Sequence, residues 1–364
     1  MPKILPALAA ACLVLPSLIL SGAASAQQSV ADFYKGKTID LYIGLTQGGG
    51  YDLYARTTAK HMEKHIPGHP NIVPKQMLGA GGQKAAAYVY EVAPKDGTAI
   101  AAGPQEIALD QALGTLPIKF DATKVNWIGN PSIDNNVVVL WHTSGVKTIE
   151  DAKKKELVIA ATAPTGASAQ YPQVLNTLLG TKFKIIAGYP GGRDMDLAME
   201  RGEVNGRGSN AWASYKATQP DWLKTGKINL IVQIGLTKEE ELPDVPLLMD
   251  LGPTPEDRAA LKLLSSVTAV GRPLFTSPGT PPDRVAALRR AFDLTVKDPA
   301  YIADLKKINL ALNPMSGEQL QKVIEDTVNT PKPIVERLIK AIEGRDVQRL
   351  PKADAAKSGQ KGTK

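Results

Sequence analysis

From residue 38 onward, short apolar runs alternate with longer stretches in which apolar residues recur every three or four positions. The run IDLYIGL (39–45), rich in branched and aromatic residues, predicts a strand. Behind it Ala55, Ala59, Met62 and Ile66 share one face at helical spacing, Asp52 offers an N-cap, and Pro67-Gly68 ends the helix. NIVPKQM (71–77) predicts a second strand, QKAAAYVYEVA a second helix closed by the turn PKDG, and TAIAAG (98–103) a third strand. Strand, loop and helix in repetition predict a parallel sheet with right-handed crossovers.

The same grammar restarts at NVVVLW (136–141) and continues through LVIAAT (157–162), KFKIIAG (182–188), EVNGRGS (203–209) and INLIVQIG (228–235). Helical segments separate these strands, near 169–179 and up to Arg201. Two α/β units are expected, therefore, and not one long sheet. After about residue 281 the chain turns mostly helical, with Pro281-Pro282 and Ser316-Gly317-Glu318 as helix starts. The expected division is 27–135 for a first lobe, 136–265 for a second, and 266–350 for a return to the first with C-terminal helices.

The two ends stand apart from this pattern. Lys3, the apolar stretch Ile4–Leu20 and Ala24-Ser25-Ala26 make residues 1–26 a secretory signal cleaved near Ala26, which places the mature protein in the periplasm. Residues 351–364 are polar and lysine-rich and are expected to be disordered. Cys12 is the only cysteine and falls in the signal, so disulfides, thiol nucleophiles and cysteine-bound metals are excluded from the mature chain. The formal charge of +7 shrinks to +3 for residues 27–350, and no basic stripe interleaved with aromatics speaks for nucleic acid.

Four glycine-rich loops sit where strands give way to helices: TQGGGYD, LGAGGQ, TAPTGASA and GYPGGRD. Each offers free backbone N–H groups at a helix start, and ligands of open parallel sheets sit at the carboxyl ends of strands. A small anion, above all a carboxylate, is the expected guest at Gly48, Gly49 and Gly50. Asp52 beside such a guest would repel it, so capping and loop ordering suit it better, with Arg56 as an i,i+4 partner. Arg193 and Arg207 read either as carboxylate clamps or as surface charges. His61, His65 and His69 are spaced by four, but Pro67-Gly68 breaks the helix before the third and their neighbours are charged, so no metal is expected. Trp141, Trp212 and Trp222 read as packing residues. Neither Gly-x-Ser-x-Gly, nor a phosphate loop, nor Gly-x-Gly-x-x-Gly occurs in the glycine loops.

Together, YIGLTQGGGYDLYAR, MLGAGGQKAAAYVYEVAPKDGTAIAAG, GYPGGRDMDLAMERGEVNGR and FTSPGTPPDRVAALRRAF resemble the extracytoplasmic receptors of tripartite tricarboxylate transporters, the Bug or TctC family, over about residues 33–345. The resemblance departs at Leu78, where a proline is usual, and at Tyr51 after the triple glycine. It implies an α/β, bilobed periplasmic binding protein of type II-like build, with two parallel-rich sheets, a ligand cleft and a helical C-terminal segment. It implies no catalysis and no cofactor, a small organic acid as ligand, and the large and small membrane subunits of a tripartite transporter as partners of a monomer. Carried over, the first wall would hold Thr46, Gln47, Gly48, Gly49, Gly50 and Asp52 with Gly81 and Gly82. The second would hold Thr162, Thr165, Gly166 and Ser168, and further out Tyr189, Arg193, Asp194 and Arg207. The rivals are an exported α/β enzyme acting on a phosphorylated or acyl substrate, and a binding protein that feeds a sensor kinase.

Overall fold

In the first strand, β1 (Thr38–Ile43), Ile39, Leu41 and Ile43 point to one side and Tyr42 to the other, and all four are buried. A strand apolar on both faces must be covered on both, and that requirement organises each half of this protein. The computed structural model describes residues 28–116, 120–343 and 347–349, so the signal at 1–26 and the tail at 351–364 lie outside the described residues. β2 (Asn71–Gln76), β3 (Ala99–Ala102) and β4 (Asn126–Asn130) follow in the first half. β5 (Asn136–Trp141), β6 (Leu157–Ala161), β7 (Phe183–Ala187), β8 (Gly206–Ala211) and β9 (Ile228–Ile234) form the second. β10 (Leu274–Thr276) and β11 (Met315–Ser316) return to the first sheet, and β12 (Gln348–Arg349) joins the second. The orders are β11-β4-β10-β3-β1-β2 and β12-β7-β6-β8-β5-β9, six strands each.

On the first sheet the helix Gly50–Met62 lays Tyr54, Ala55, Ala59 and Met62 against the Ile39, Leu41 and Ile43 face, together with Leu288 and Phe292 of the helix Pro282–Thr295. Ala85, Ala86 and Val89 of the helix Gln83–Glu91 cover the Tyr42 face, with Leu320 and Ile324 of Gly317–Val328. The second sheet repeats the scheme. Val138 and Leu140 look toward the helices Ala167–Leu179, Pro255–Val270 and Lys332–Ile342, whereas Val137 and Val139 look toward Met195, Met199, Trp212 and Trp222. The packing expected of Trp212 and Trp222 is found there, and the Trp141 ring meets Trp222 edge to face at 4.7 Å.

Both sheets are mixed. β1 runs parallel to β2 and β3, but β10 is antiparallel to β3 and β4, and β5 is antiparallel to β8 and β9. The chain passes between the sheets after β4, again through the helix Pro255–Val270, and a third time into Lys332–Ile342. The sequence grouped 266–350 with the first unit; of that segment, Val335, Leu338 and Ala341 enter the core of the second sheet and β12 pairs with β7.

Candidate functional site

Three helices of nine residues or more begin at the boundary between the sheets: Gly50–Met62 from the first, Ala167–Leu179 and Gly192–Glu200 from the second. Their N-caps are Gly49, Gly166 and Gly191, none of which has a side chain to occupy the free N–H groups. The cleft between them encloses about 610 Å³ of space open to solvent. One wall carries Leu45, Thr46, Gly49, Gly50, Tyr51 and Gly81, then Gln105, Glu106 and Arg272. The other carries Asn136, Thr162, Ala167 and Ser168, then Gly192, Met195, Arg207 and Ser209–Ala211. Antiparallel register explains part of this: Asn136 at the start of β5 pairs with Ala211 at the end of β8, so both reach the same rim.

The walls touch. A Cβ on Gly50 would collide with the Ser214 side chain, and one on Gly191 with Thr46. The Thr46 hydroxyl approaches Asp194, whose carboxyl is pushed up by burial. Beside them, Gly79, Ala80, Gly81 and Gly82 run through four consecutive positive φ values, 140°, 47°, 64° and 99°. Ala80 is the strained member, a non-glycine residue held left-handed by its neighbours at the cleft wall.

Of the residues expected from the sequence, Thr46, Gly49, Gly50, Gly81, Thr162, Ser168 and Arg207 come together on the cleft. Gly48 and Arg193 line a second cavity of about 660 Å³ that shares Gly49, Gly50, Gly192, Arg207 and Asn210 with the first. The others stand off the walls. Gln47 is exposed, and Gly82 packs against Gly44. Thr165 accepts from Gln83 Nε2 at 3.5 Å, Gly166 caps its helix, and Tyr189 is buried in the second core. Asp52 is not the N-cap but lies in the first turn of its helix, where it ties the glycine loop. Its carboxylate accepts from Gly48 N at 2.9 Å, from Arg56 Nε at 2.7 Å and from Gln76 Nε2 at 2.7 Å.

Arg207 is buried and donates through Nη1 to Asp196 Oδ1 at 2.9 Å, so its charge is matched from behind the wall. Arg272 was not expected. It follows Gly271, at φ 62°, on the return from the second sheet to the first. Only 7% exposed, its guanidinium lies 4.2 Å from the Tyr51 ring centroid and donates to Ser214 Oγ at 3.2 Å. Burial pushes the Tyr51 hydroxyl up to about 12. Glu106 was also missed: its Oε1 accepts from Ala167 N at 3.1 Å across the boundary, and burial raises its carboxyl. Behind it Asp110 is raised well above the carboxylate range by burial and by the charge of Glu106, while accepting from Gln83 and Gln170. The expectation that ligands gather at strand carboxyl ends applies equally to TAIAAG and EVNGRGS, and following it past the glycine loops reaches Glu106 and Ser209–Ala211.

His61 and His65 pair with acids at the helix Pro299–Lys307, and His69 is exposed. His61 Nε2 sits 2.9 Å from Asp304 and His65 Nε2 3.4 Å from Asp298. Among the described residues, no group of three histidine, cysteine or acidic side chains is placed to hold a metal, and no helix is long and apolar enough to cross a membrane.

Residues 54–339 match the family model of the tripartite tricarboxylate transporter family receptor, TctC. This chain belongs to that family. Among curated proteins, the receptor is similar to the UPF0065 protein in gbd 5'region of Cupriavidus necator. The two are 28% identical over 333 residues, covering 87% of this chain and 92% of the relative. Among solved structures it is similar to the periplasmic binding protein BugD (18% identity, TM-score 0.65, 87% of this chain and 100% of that one). It is equally similar to MatC (Rpa3494) from Rhodopseudomonas palustris with bound malate (18%, TM-score 0.65, 85% and 99%). The shared fold is the bilobed α/β architecture of a solute-binding receptor, as the sequence implied.

Proposed function

We propose that this receptor captures a small organic carboxylate between its two sheets in the periplasm, without catalysis, and delivers it to the membrane subunits of a tripartite tricarboxylate-type transporter. The observation that carries this reading is the convergence of three helix N-termini with glycine N-caps, from both sheets, on one cleft. Each such terminus presents N–H groups and the positive end of a macrodipole, and a buried anion gains more from them than a solvated one. The malate bound in the similar MatC structure agrees with a carboxylate guest. Gly48, Gly49, Gly50, Thr46, Gly81, Thr162 and Ser168 then surround the ligand, with Asp52, Gly82, Gly166 and Asp194 shaping the loops behind. Closure brings Gly50 to Ser214 and Gly191 to Thr46, excludes water, and gives the membrane subunits a shape that the open form lacks.

A thermal-shift screen of the protein from Gln27, against mono-, di- and tricarboxylates, tests this. A ligand that binds only the folded form adds about 2.7 kcal/mol at one hundred times its dissociation constant. A shift with phosphorylated compounds alone, and with none of the acids, would overturn the reading.

A further inference from the structure

The charges at the cleft can be matched one against another. The Gly50 helix has Asp52 in its first turn, tied to the loop through Gly48 N. The Ala167 helix has Glu106 seated on its first N–H at 3.1 Å, and the Gly192 helix has Asp194 in its first turn. Arg207 has Asp196. Each of these positive features is therefore offset by an acid of the chain itself. Arg193 is exposed and its charge is screened by water.

Arg272 is matched less directly: the buried acids Asp134 and Glu106 feel its charge, but neither forms an ion pair with it. It is buried, lines the cleft, and makes no ion pair among the described residues; its Nε has no hydrogen-bond partner, and its one side-chain bond goes to the neutral Ser214. A guanidinium stripped of water and left with free donors is costly unless an anion completes it. Tyr51 stacks on it from its own wall and Ser214 reaches it from the opposite one, so closure completes the setting of the fork. Apart from Glu106 and the paired Arg207, the polar lining is uncharged and includes Gln105, Asn136, Ser209 and Asn210. A second carboxylate would find no free cation there and would face Glu106.

We propose that Arg272 is the carboxylate clamp of this cleft, and that the site takes an acid with a single carboxylate and a neutral, hydrogen-bonding body. This rests on the carboxylate reading above and narrows it. Arg272 holds the anionic end through its free N–H donors, and the amides and hydroxyls of the opposite wall sort the remainder of the molecule.

Isothermal titration of the protein from Gln27 with glycerate, gluconate, malate and citrate, in wild-type form and as Arg272→Gln and Arg272→Lys, tests the assignment. The expected result is that glycerate or gluconate binds at least tenfold more tightly than malate and citrate. Arg272→Gln should then lose at least one hundredfold in affinity, and Arg272→Lys should fall between. Melting curves of the unliganded variants, with Arg272→Lys as the milder change, separate a lost clamp from a lost fold. Malate or citrate binding more tightly than both monocarboxylates would overturn the single-carboxylate assignment. Unchanged affinity in folded Arg272→Gln would overturn the clamp. Failure of all four acids to bind wild-type protein would overturn the carboxylate reading itself, a result distinct from either.

Discussion

Gly50 and Ser214 belong to different sheets, yet no side chain larger than hydrogen fits at position 50 while Ser214 stays where it is. The φ of Gly50 is not in the left-handed region, so the local backbone tolerates other residues. Only the approach of the two walls forbids them. Gly50→Val is expected to fold with a melting temperature close to wild type in the absence of ligand and to lose at least tenfold in ligand affinity. Equal affinity in the variant would mean that binding does not need this contact.

Asp52 offers a different test, because its role is internal. Asp52→Ala removes a buried acceptor shared by Gly48 N, the half-buried Arg56 and the exposed Gln76, and unties all three from one another. Hydrogen bonds to a charged group contribute about 1.5–3 kcal/mol each, not additively, so a loss of about 2–4 kcal/mol in chemical denaturation is expected. Ligand affinity should fall with it, as the loop loosens.

For the buried pair Arg207 and Asp196, removing one partner should be worse than removing both. Arg207→Met leaves a carboxylate alone in the wall and is expected to cost about 3–5 kcal/mol. The double variant with Asp196→Leu should lose less than Arg207→Met alone. A double variant at least as unstable as the single one would argue against that account.

Stability should also fall as pH rises toward neutrality. Burial pushes the Asp134 carboxyl up from its ordinary 3.8 to about 7, against the opposing field of Arg272. The folded state then holds a proton that the unfolded state releases above about 4, so this contribution is complete below that pH and lost on the way to about 7. The slope from one such group is at most about 1.4 kcal/mol per pH unit. Glu106, Asp110 and Asp196 are raised in the same direction by burial. Asp134→Asn keeps an acceptor for Ala213 N and should flatten the profile of melting temperature between pH 5 and 8. An unaltered profile would remove Asp134 as a source.

The C-terminal helix supplies a last test. Leu338 is fully buried in the second core, so Leu338→Ala is expected to cost about 2–5 kcal/mol, read by urea denaturation. A cost under 1 kcal/mol would show that the helix is not integral to that core.

Strands with branched residues on both faces, such as NVVVLW and INLIVQIG, were legible because two covered faces leave no polar alternation to confuse the pattern. β4 reads NWIGN and β10 only LFT after Pro273, too short and mixed to announce themselves, and their antiparallel pairing follows from tertiary contacts. The helix Pro255–Val270 was hidden behind a proline-rich run, although Thr254 and Asp257 form a capping box at its start. At the cleft, the glycine loops carried a sequence signal because their function is in the backbone. Arg272 carried none, since only the fold brings residue 272 beside Tyr51; Glu106 carried only its place after the strand TAIAAG, and the fold sets it on the N–H of residue 167.

The threefold passage between the sheets has a consequence for how the polypeptide acquires its shape. The first sheet needs β10 and β11 from beyond residue 270, and the second core needs Val335, Leu338 and Ala341. Neither half can finish before nearly the whole polypeptide is available, whatever the order in which it emerges. Such a topology joins the fates of the two halves. It calls for a single cooperative transition in denaturant, and it leaves a nascent polypeptide without either finished core until its last helix arrives.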